Sequence, residues 1–426
     1  MPKASERTLL FLVGAVQFVN VLDFMMVMPL GPDFAVHLGI PLSHLGLVGG
    51  SYTASAAVVG LLGAGFLDRF DRRRALAVTM GGLVAATALG GLATGLHSMM
   101  AARILAGAFG GPATALSLSI VADVVPAERR GKAIGAVMGA FSVASVLGVP
   151  AGLELARLGG WRAPFFAVAT LGLVVAGSAL LLMPPLRGHL DRAAAGPARA
   201  AVSGLDGLVA ILRRPAALVA LGAVALSMMS NFAIVPNIAS HLQLDLGFPR
   251  EHLGLMYMLG GGVAFFAMRF AGRAVDRFGE WPVSAFGTAL FLVVLAVGFA
   301  YPQPWFPVPA LFVLFMGGNS VRMVAMQNVT SRVPAPEERA RYMSTQSAVQ
   351  HLSSALGAAL STQLLWVQPD GRLGGMPRLA AFSGALALAL PVLIRAAARQ
   401  VPRYAAAPPV GKAGPSPIST APKRAS

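Results

Sequence analysis

Cysteine is absent from the 426 residues, which excludes a disulfide framework, thiolate-held zinc or iron–sulfur centres, and a cysteine nucleophile. Charge is scarce too: 12% of residues are charged, against about 25% in soluble domains. Acids are the scarcer sign, with 17 Asp and Glu against 33 Lys and Arg. The apolar runs hold no paired carboxylates and no H-E-x-x-H cluster, and no G-x-x-x-x-G-K-[ST] loop occurs anywhere. These absences argue against an intramembrane enzyme, a metal centre and an ATP-driven pump, and no cofactor is expected. The net charge of +16 is scattered through short loops and both tails. A nucleic-acid reader gathers its cations on one folded face, so no nucleic-acid partner is expected.

What is present is hydrocarbon: 56% of the residues are hydrophobic. The first run, Thr8 to Leu30, is long enough to cross ~30 Å of bilayer core and longer than a secretory signal's apolar region. Further spans are read at about Leu42–Leu67, Ala75–Leu96, Met99–Val124, Gly131–Leu155 and a sixth after Trp161 and Arg162 that ends near Met183. A second set follows at about Pro215–Leu242, Glu251–Val275, Trp281–Tyr301, Phe306–Ser331, Ala340–Val367 and Pro377–Ala398. The reading is an all-α polytopic membrane protein of twelve transmembrane helices, six plus six. Its parts are a first bundle over 1–185, a basic linker over 186–214, a second bundle over 215–399, and a tail over 400–426 expected to be disordered.

Between spans 2 and 3, Asp68-Arg69-Phe70-Asp71-Arg72-Arg73-Arg74 places six charges in seven positions. Such a cluster cannot sit in hydrocarbon and must be a short loop on the cation-collecting side. The pattern returns around Asp276-Arg277, 208 residues after Asp68 (276 − 68), which reads as an internal duplication. Most other cations, among them Lys3, Arg129, Arg130, the linker arginines, Arg332 and Arg339, fall on the same side. That side is expected to be the cytoplasm, with both termini on it and the chain in the plasma membrane.

Duplicated six-span halves joined by a basic linker resemble the major facilitator superfamily. The loop cluster is similar to that family's signature, supplying Asp68, Arg69, Arg72 and Arg73, with Ala64 at the first glycine position and Asp71 at the second. The later copy keeps Gly272, Asp276, Arg277 and Gly279. In span 5, Gly135, Gly139 and Gly148-Val149-Pro150-Ala151-Gly152 resemble the signature of drug:proton antiporters, and Arg103 with Gly107 in span 4 resembles an intramembrane arginine motif. Leu22 to Leu30 and Gly160-Trp161-Arg162 are similar to an arabinose-efflux-permease-like branch. The resemblance implies two pseudo-symmetric bundles, and a latch in which Asp68 meets span 11 and Arg72 meets Asp123, holding the basic end closed. Arg69, Arg73, Asp276 and Arg277 belong to the same latch; the other reading is a topology-setting loop whose charges are solvated.

Asp23 is the acid placed well inside a span. A rise of 1.5 Å per residue sets it about 10 Å below the outer end of span 1, and Arg103 about 6 Å below the same face in span 4. The two can therefore meet. Intramembrane charges mark coupling or substrate paths by default. One reading is that Asp23 takes and gives a proton while Arg103 favours its carboxylate; the other is a permanent ion pair that only holds spans 1 and 4 together. Gly135, Gly139 and Gly148 are expected either as a mobile seam between halves or as a packing stripe, with Pro150 supplying a bend. Polar residues of the second half, Asn231, Asn237, Asn319, Arg322, Gln346, Gln350 and His351, are expected to touch substrate or to bond helix to helix. Phe24 and Met28 are candidates for an adaptable apolar lining.

These residues point to a secondary transporter, a monomer in the bilayer that exchanges protons for a small lipophilic or amphipathic molecule by alternating access. A proton-coupled importer of a polar solute or a sugar-efflux transporter is the alternative within transport. A non-transporting membrane sensor or scaffold is the alternative outside it.

Overall fold

The structure is a computed structural model that describes residues 5–67, 69–187, 190, 211–334 and 339–400. Asp68, most of the basic linker and the tail beyond residue 400 lie outside the described residues.

Helix α1 (Glu6–Met26) starts at Ser5, whose hydroxyl accepts from the Thr8 amide at 3.2 Å, with Glu6 in the favourable first turn. It is followed by α2 (Leu45–Leu67), α3 (Arg72–Gly91) and α4 (Leu96–Val124). Helix α5 is built in pieces, Ala127–Met138, Ala140–Val143, a π turn over Ala144–Gly148, and Val149–Gly159. Helix α6 (Ala163–Leu182) closes the first half. The second half comprises α7 (Pro215–Ser240), α8 (Leu253–Phe278), α9 (Glu280–Leu295), α10 (Val308–Thr330), α11 (Arg339–Leu364) and α12 (Met376–Gln400). A small hairpin, β1 (Trp366–Val367) against β2 (Leu373–Gly374), joins α11 to α12. Ten of these helical segments are long and apolar enough to cross a membrane. Helices α2 and α11 complete the set of twelve. Helix α11 is the polar one, with Gln346, Gln350, His351 and Ser361 along its length, because it faces other helices.

Two differences from the sequence reading matter for the site. The first span does not end at Leu30: a 3-10 turn over Met28–Leu30 carries the chain into a further helix, Gly31–Leu38. Pro29 and Pro32 sit in first turns, where a missing N–H costs nothing, and Gly39 ends the run in the left-handed region at φ 62°. The bend expected at Pro150 is a π turn immediately before it, where the proline's missing N–H frees a carbonyl of the preceding turn.

The halves repeat one packing scheme. In the first, α4 packs on α2 and α3, and α3 on α6; in the second, α10 packs on α8 and α9, and α9 on α12. The halves meet through α2 with α11 and α5 with α8, a pair of contacts that the same duplication relates to each other. Gly46 lies against Ala358 and Ser361, and Gly50 against Ala355 and Ala358. Gly254 of α8 lies over Pro150, and Gly261 over Ser145 and Val146. All of these contacts lie toward the end remote from the basic loops. At the basic end, Gly131 and Gly135 of α5 and Gly272 of α8 face open space. The inter-half contacts of these glycines are thus those of a seam at the far end.

Candidate functional site

The centre of the first half is a buried ion pair. Asp23 is 0% exposed and Arg103 is 1% exposed. The guanidinium forks onto the carboxylate, Nη1 to Oδ1 at 3.1 Å and Nη2 to Oδ2 at 3.0 Å, and Thr87 of α3 donates to Oδ1 at 2.7 Å. Two-pronged geometry of this kind is the strong form of the interaction. Three helices therefore converge on one carboxylate. Arg103 also lies over the Tyr52 ring, 4.8 Å from its centroid.

A chain of hydrogen bonds leads away toward the basic end. Tyr52 donates to Asn20 at 2.8 Å, Asn20 donates to the Gly110 carbonyl at 3.0 Å and to Thr114 at 2.7 Å, and Thr114 reaches Gln17 at 3.1 Å. The glycines of α4 make room for this. A Cβ at Gly107 would strike the Tyr52 backbone carbonyl, and one at Gly110 would strike the Tyr52 hydroxyl and the Asn20 amide.

At the corresponding place in the second half no such pair exists among the described residues. The offset of 208 residues that relates Asp68 to Asp276 carries Asp23 onto Asn231, a neutral amide, buried, whose Oδ1 has no partner. Asn237 ties α7 to α11 through Ser361 at 3.1 Å and to its own helix through the Ala233 carbonyl. Gln346 donates to Gln327 at 3.1 Å across α10 and α11. Asn319, Gln350 and His351 are partly exposed. Phe24 bridges the halves, 5.1 Å from the Tyr52 ring and 6.0 Å from Phe232 of α7, and Met28 packs on Gly49.

Arg322 departs from the expectation that it lines a substrate cavity. It is 0% exposed and turned toward the peripheral helix α9, with its guanidinium 4.2 Å from the Phe291 ring centroid and its stem against Gly287. Of the two readings of the α5 glycines, Gly148 and Gly152 have the contacts of a packing stripe. Gly148 seats Leu22 and Phe18 of α1, and Gly152 approaches Met26, all within the first half. The seam with α8 is made by Ser145, Val146 and Pro150 instead, while Gly139 is close only to its own helix.

The description "Major Facilitator Superfamily" covers residues 13–358 and, in a second match, residues 220–425. The chain belongs to the Major Facilitator Superfamily. It is 30% identical over 272 residues to the chloramphenicol resistance protein of Streptomyces lividans, covering 63% of this chain and 67% of that protein. To the inner membrane transport protein YdhP of Escherichia coli K12 it is 25% identical over 334 residues, 78% of this chain and 82% of the relative. Among solved structures, the D-xylose-proton symporter superposes with a TM-score of 0.73 over 91% of this chain and 97% of its own, at 17% identity, a likeness of fold.

The superfamily's loop signature takes an intrahalf form here. Arg72 bonds Asp123 at 2.6 Å, Arg73 donates to the Met183 carbonyl at 3.1 Å, and Arg69 is exposed. Asp71, which replaces the second glycine, caps α3 by accepting from the Arg73 amide at 2.9 Å, and it also receives the Leu186 amide at 3.2 Å and Arg187 at 3.3 Å. Loop, α4 end and α6 end are thereby bound to one another within one half. The Arg72–Asp123 contact that the latch reading expects is present, and both of its partners lie in the first half. Asp68's share in the latch lies outside the described residues.

The second copy differs again. Asp276 is exposed and Arg277 lies over the Phe278 ring at 5.2 Å. The buried pair is Glu280 with Arg332, first residue of α9 with the residue just past α10. Glu280 stands 208 residues after Arg72, so the brace recurs with its charges exchanged. Glu280→Gln is expected to cost about 3 kcal/mol by stranding Arg332, and Glu280→Arg with Arg332→Asp to recover most of it. Thermal unfolding of the two variants checks this.

Burial pushes the Asp71 carboxyl up, but the Leu186 and Arg73 amides and the Arg187 guanidinium outweigh it and hold it below its usual value. A carboxyl lowered in the folded state adds stability that is present above its unfolded value and lost as pH falls through the folded one. Asp71→Asn is expected to cost about 1 kcal/mol at pH 7, a difference from the parent that shrinks below about pH 4. Unfolding curves at the two pH values measure it.

Two polar clusters carried no signal in the sequence reading. Asp33 bonds Arg250 at 2.5 Å, first half to second, at the far end. Ending span 1 at Leu30 leaves Asp33 outside the spans; Pro32-Asp33 as a first helical turn is the signal that finds it. His241 is buried between the Asp245 carboxylate at 2.6 Å and the Gly298 carbonyl at 2.8 Å, stacked 4.9 Å from Phe299, while Asp245 also accepts from the Leu373 amide at 2.9 Å. This binds α7, the π turn after α9 and the β hairpin at one point.

Proposed function

We propose that this transporter is a proton-coupled antiporter of the plasma membrane that exports a small lipophilic or amphipathic molecule, with its basic end and both termini cytoplasmic. The observation that carries the reading is the Asp23–Arg103 pair, a carboxylate 0% exposed and deep in the first half, held by a guanidinium 1% exposed. A permanent cation beside it stabilises the carboxylate, and a buried carboxylate parted from that cation takes up a proton instead. Rocking of the halves supplies the parting: α1 touches α7 through Phe24 and Phe232, whereas α4 belongs to the first half alone. Arrival of cargo between the halves displaces α1 relative to α4, so cargo and proton exclude each other.

Export of an amphipathic aromatic molecule is supported by the Phe24, Tyr52 and Phe232 rings at the meeting of the halves, and by the likeness to a chloramphenicol resistance protein. The basic end as cytoplasm follows from the positive-inside rule. Two halves of one chain enclose the site, so a monomer suffices.

The test is flux in proteoliposomes with an imposed pH gradient, using a panel that begins with chloramphenicol and includes pentoses. Uphill movement of an aromatic compound against proton flow supports the reading. Movement of a polar solute together with protons makes the chain an importer, and binding without flux makes it a sensor.

A further inference from the structure

The second half holds a permanent charge that nothing among the described residues neutralises. Arg322 is fully buried, and its Nε, Nη1 and Nη2 all lack a hydrogen-bond partner. A guanidinium cannot shed its proton to escape burial. Between Glu280 and Glu337 the sequence has no carboxylate at all, α7, α11 and α12 have none either, and the one in α8, Asp276, is exposed at the basic end. Glu280, at the start of α9, is already engaged by Arg332. The face of Phe291 offsets only part of the cost of taking the charge out of water.

The wall opposite Arg322 is polar in a specific way. Ser284, Gly287, Thr288 and Phe291 recur at three- and four-residue intervals and so share one face of α9. Gly287 touches the Arg322 stem and Phe291 covers its guanidinium, which fixes that face as the one turned to Arg322. The hydroxyls of Ser284 and Thr288, on either side of Gly287, are buried and also lack partners. Two hydroxyl donors and one guanidinium thus lie along the seam between α9 and α10, with no acceptor for any of them among the described residues.

We propose that this seam binds one small monovalent anion of the chloride class, held by Arg322, Ser284 and Thr288. One positive charge calls for one negative charge, and the close approach of α9 to α10 at Gly287 argues for a single-atom ion over a carboxylate-bearing metabolite. Entry is from the basic end, one helical turn below Ser284, past the Glu280–Arg332 pair. The anion acts as a structural counter-ion for the second half, where the first half uses Asp23. It is independent of the proton-coupling reading.

The experiment is thermal unfolding of the full chain in detergent at fixed pH and ionic strength, with sodium chloride replacing sodium gluconate in steps. The parent is expected to gain stability saturably with chloride, as for any ligand that binds the folded state alone. Arg322→Gln is expected to lose that dependence. Ser284→Ala with Thr288→Val, which keeps the cation, is expected to raise the half-saturating chloride by at least about tenfold, two hydrogen bonds to a charged ligand being lost. A parent indifferent to the replacement means that water fills the seam and overturns the proposal. An equal chloride response in Arg322→Gln places the anion elsewhere and overturns it too. Should Arg322→Gln fail to fold, an unchanged half-saturation in the hydroxyl variant is sufficient to overturn it.

Discussion

Asp23→Asn is expected to abolish cargo movement driven by a pH gradient while leaving downhill exchange measurable. Asparagine keeps the shape of the carboxylate but can neither hold a negative charge nor carry a proton. The same change strands Arg103, which is 1% exposed and has no other acid within reach among the described residues. Loss of one member of a buried pair costs about 3–5 kcal/mol, so the single variant will also unfold more readily. Adding Arg103→Gln removes the stranded charge and is expected to restore most of that stability without restoring coupling. The double variant separates the two readings of the pair. A purely structural pair predicts that coupling returns with stability; a proton site predicts that it does not.

Gly46→Leu is expected to wedge the far end open. A Cβ at this position would already fall on the Ala358 carbonyl and the Ser361 hydroxyl of α11. Carbonyl oxygen is part of the helix and cannot step aside. Overpacking costs about 1–3 kcal/mol, and it is paid only where α2 and α11 are in contact. A difference of that size between two states changes their ratio about 5–150-fold, toward the state closed at the basic end. Because the chain has no cysteine, two introduced at exposed far-end positions, Val36 in the first half and Leu244 in the second, take spin labels uniquely. Their separation should lengthen in Gly46→Leu. An unchanged distribution would mean that α2 and α11 are not a closing surface. Arg250→Ala removes the contact of the partly exposed Arg250 with the buried Asp33 and should act in the same direction.

Much of this architecture is legible in the residues. Charge interrupting hydrocarbon marks the loops, and a lone acid and a lone base at similar depth announce the Asp23–Arg103 meeting. Depth follows from the rise per residue, but azimuth does not. Arg322 was therefore seen as an intramembrane cation yet assigned to a cavity, when it faces α9; the i, i+3, i+4, i+7 run of Ser284, Gly287, Thr288 and Phe291 was the trace of its real neighbour. The glycines of α5 were legible as a packing stripe but not as to which helix they pack against, since Gly148 serves α1 and Gly261 of α8 serves the seam. Matching the loop signature by identity hid two things. Asp71 looked like a lost glycine and is a helix cap, and Glu280 looked like a lost cation and is the brace with its sign reversed. Pairing is a relation between residues, and a motif read one position at a time does not express it.

The account's central claim is that cargo and proton exclude each other at Asp23, and proton movement in step with cargo tests it most directly. In proteoliposomes carrying an internal pH probe, with no gradient imposed, a pulse of a transported compound from the panel should drive protons opposite to the cargo. The parent protein is predicted to show this counterflow, and Asp23→Asn with Arg103→Gln to move cargo with no pH signal. Cargo flux in the parent without proton counterflow, or the same counterflow in the double variant, would contradict it.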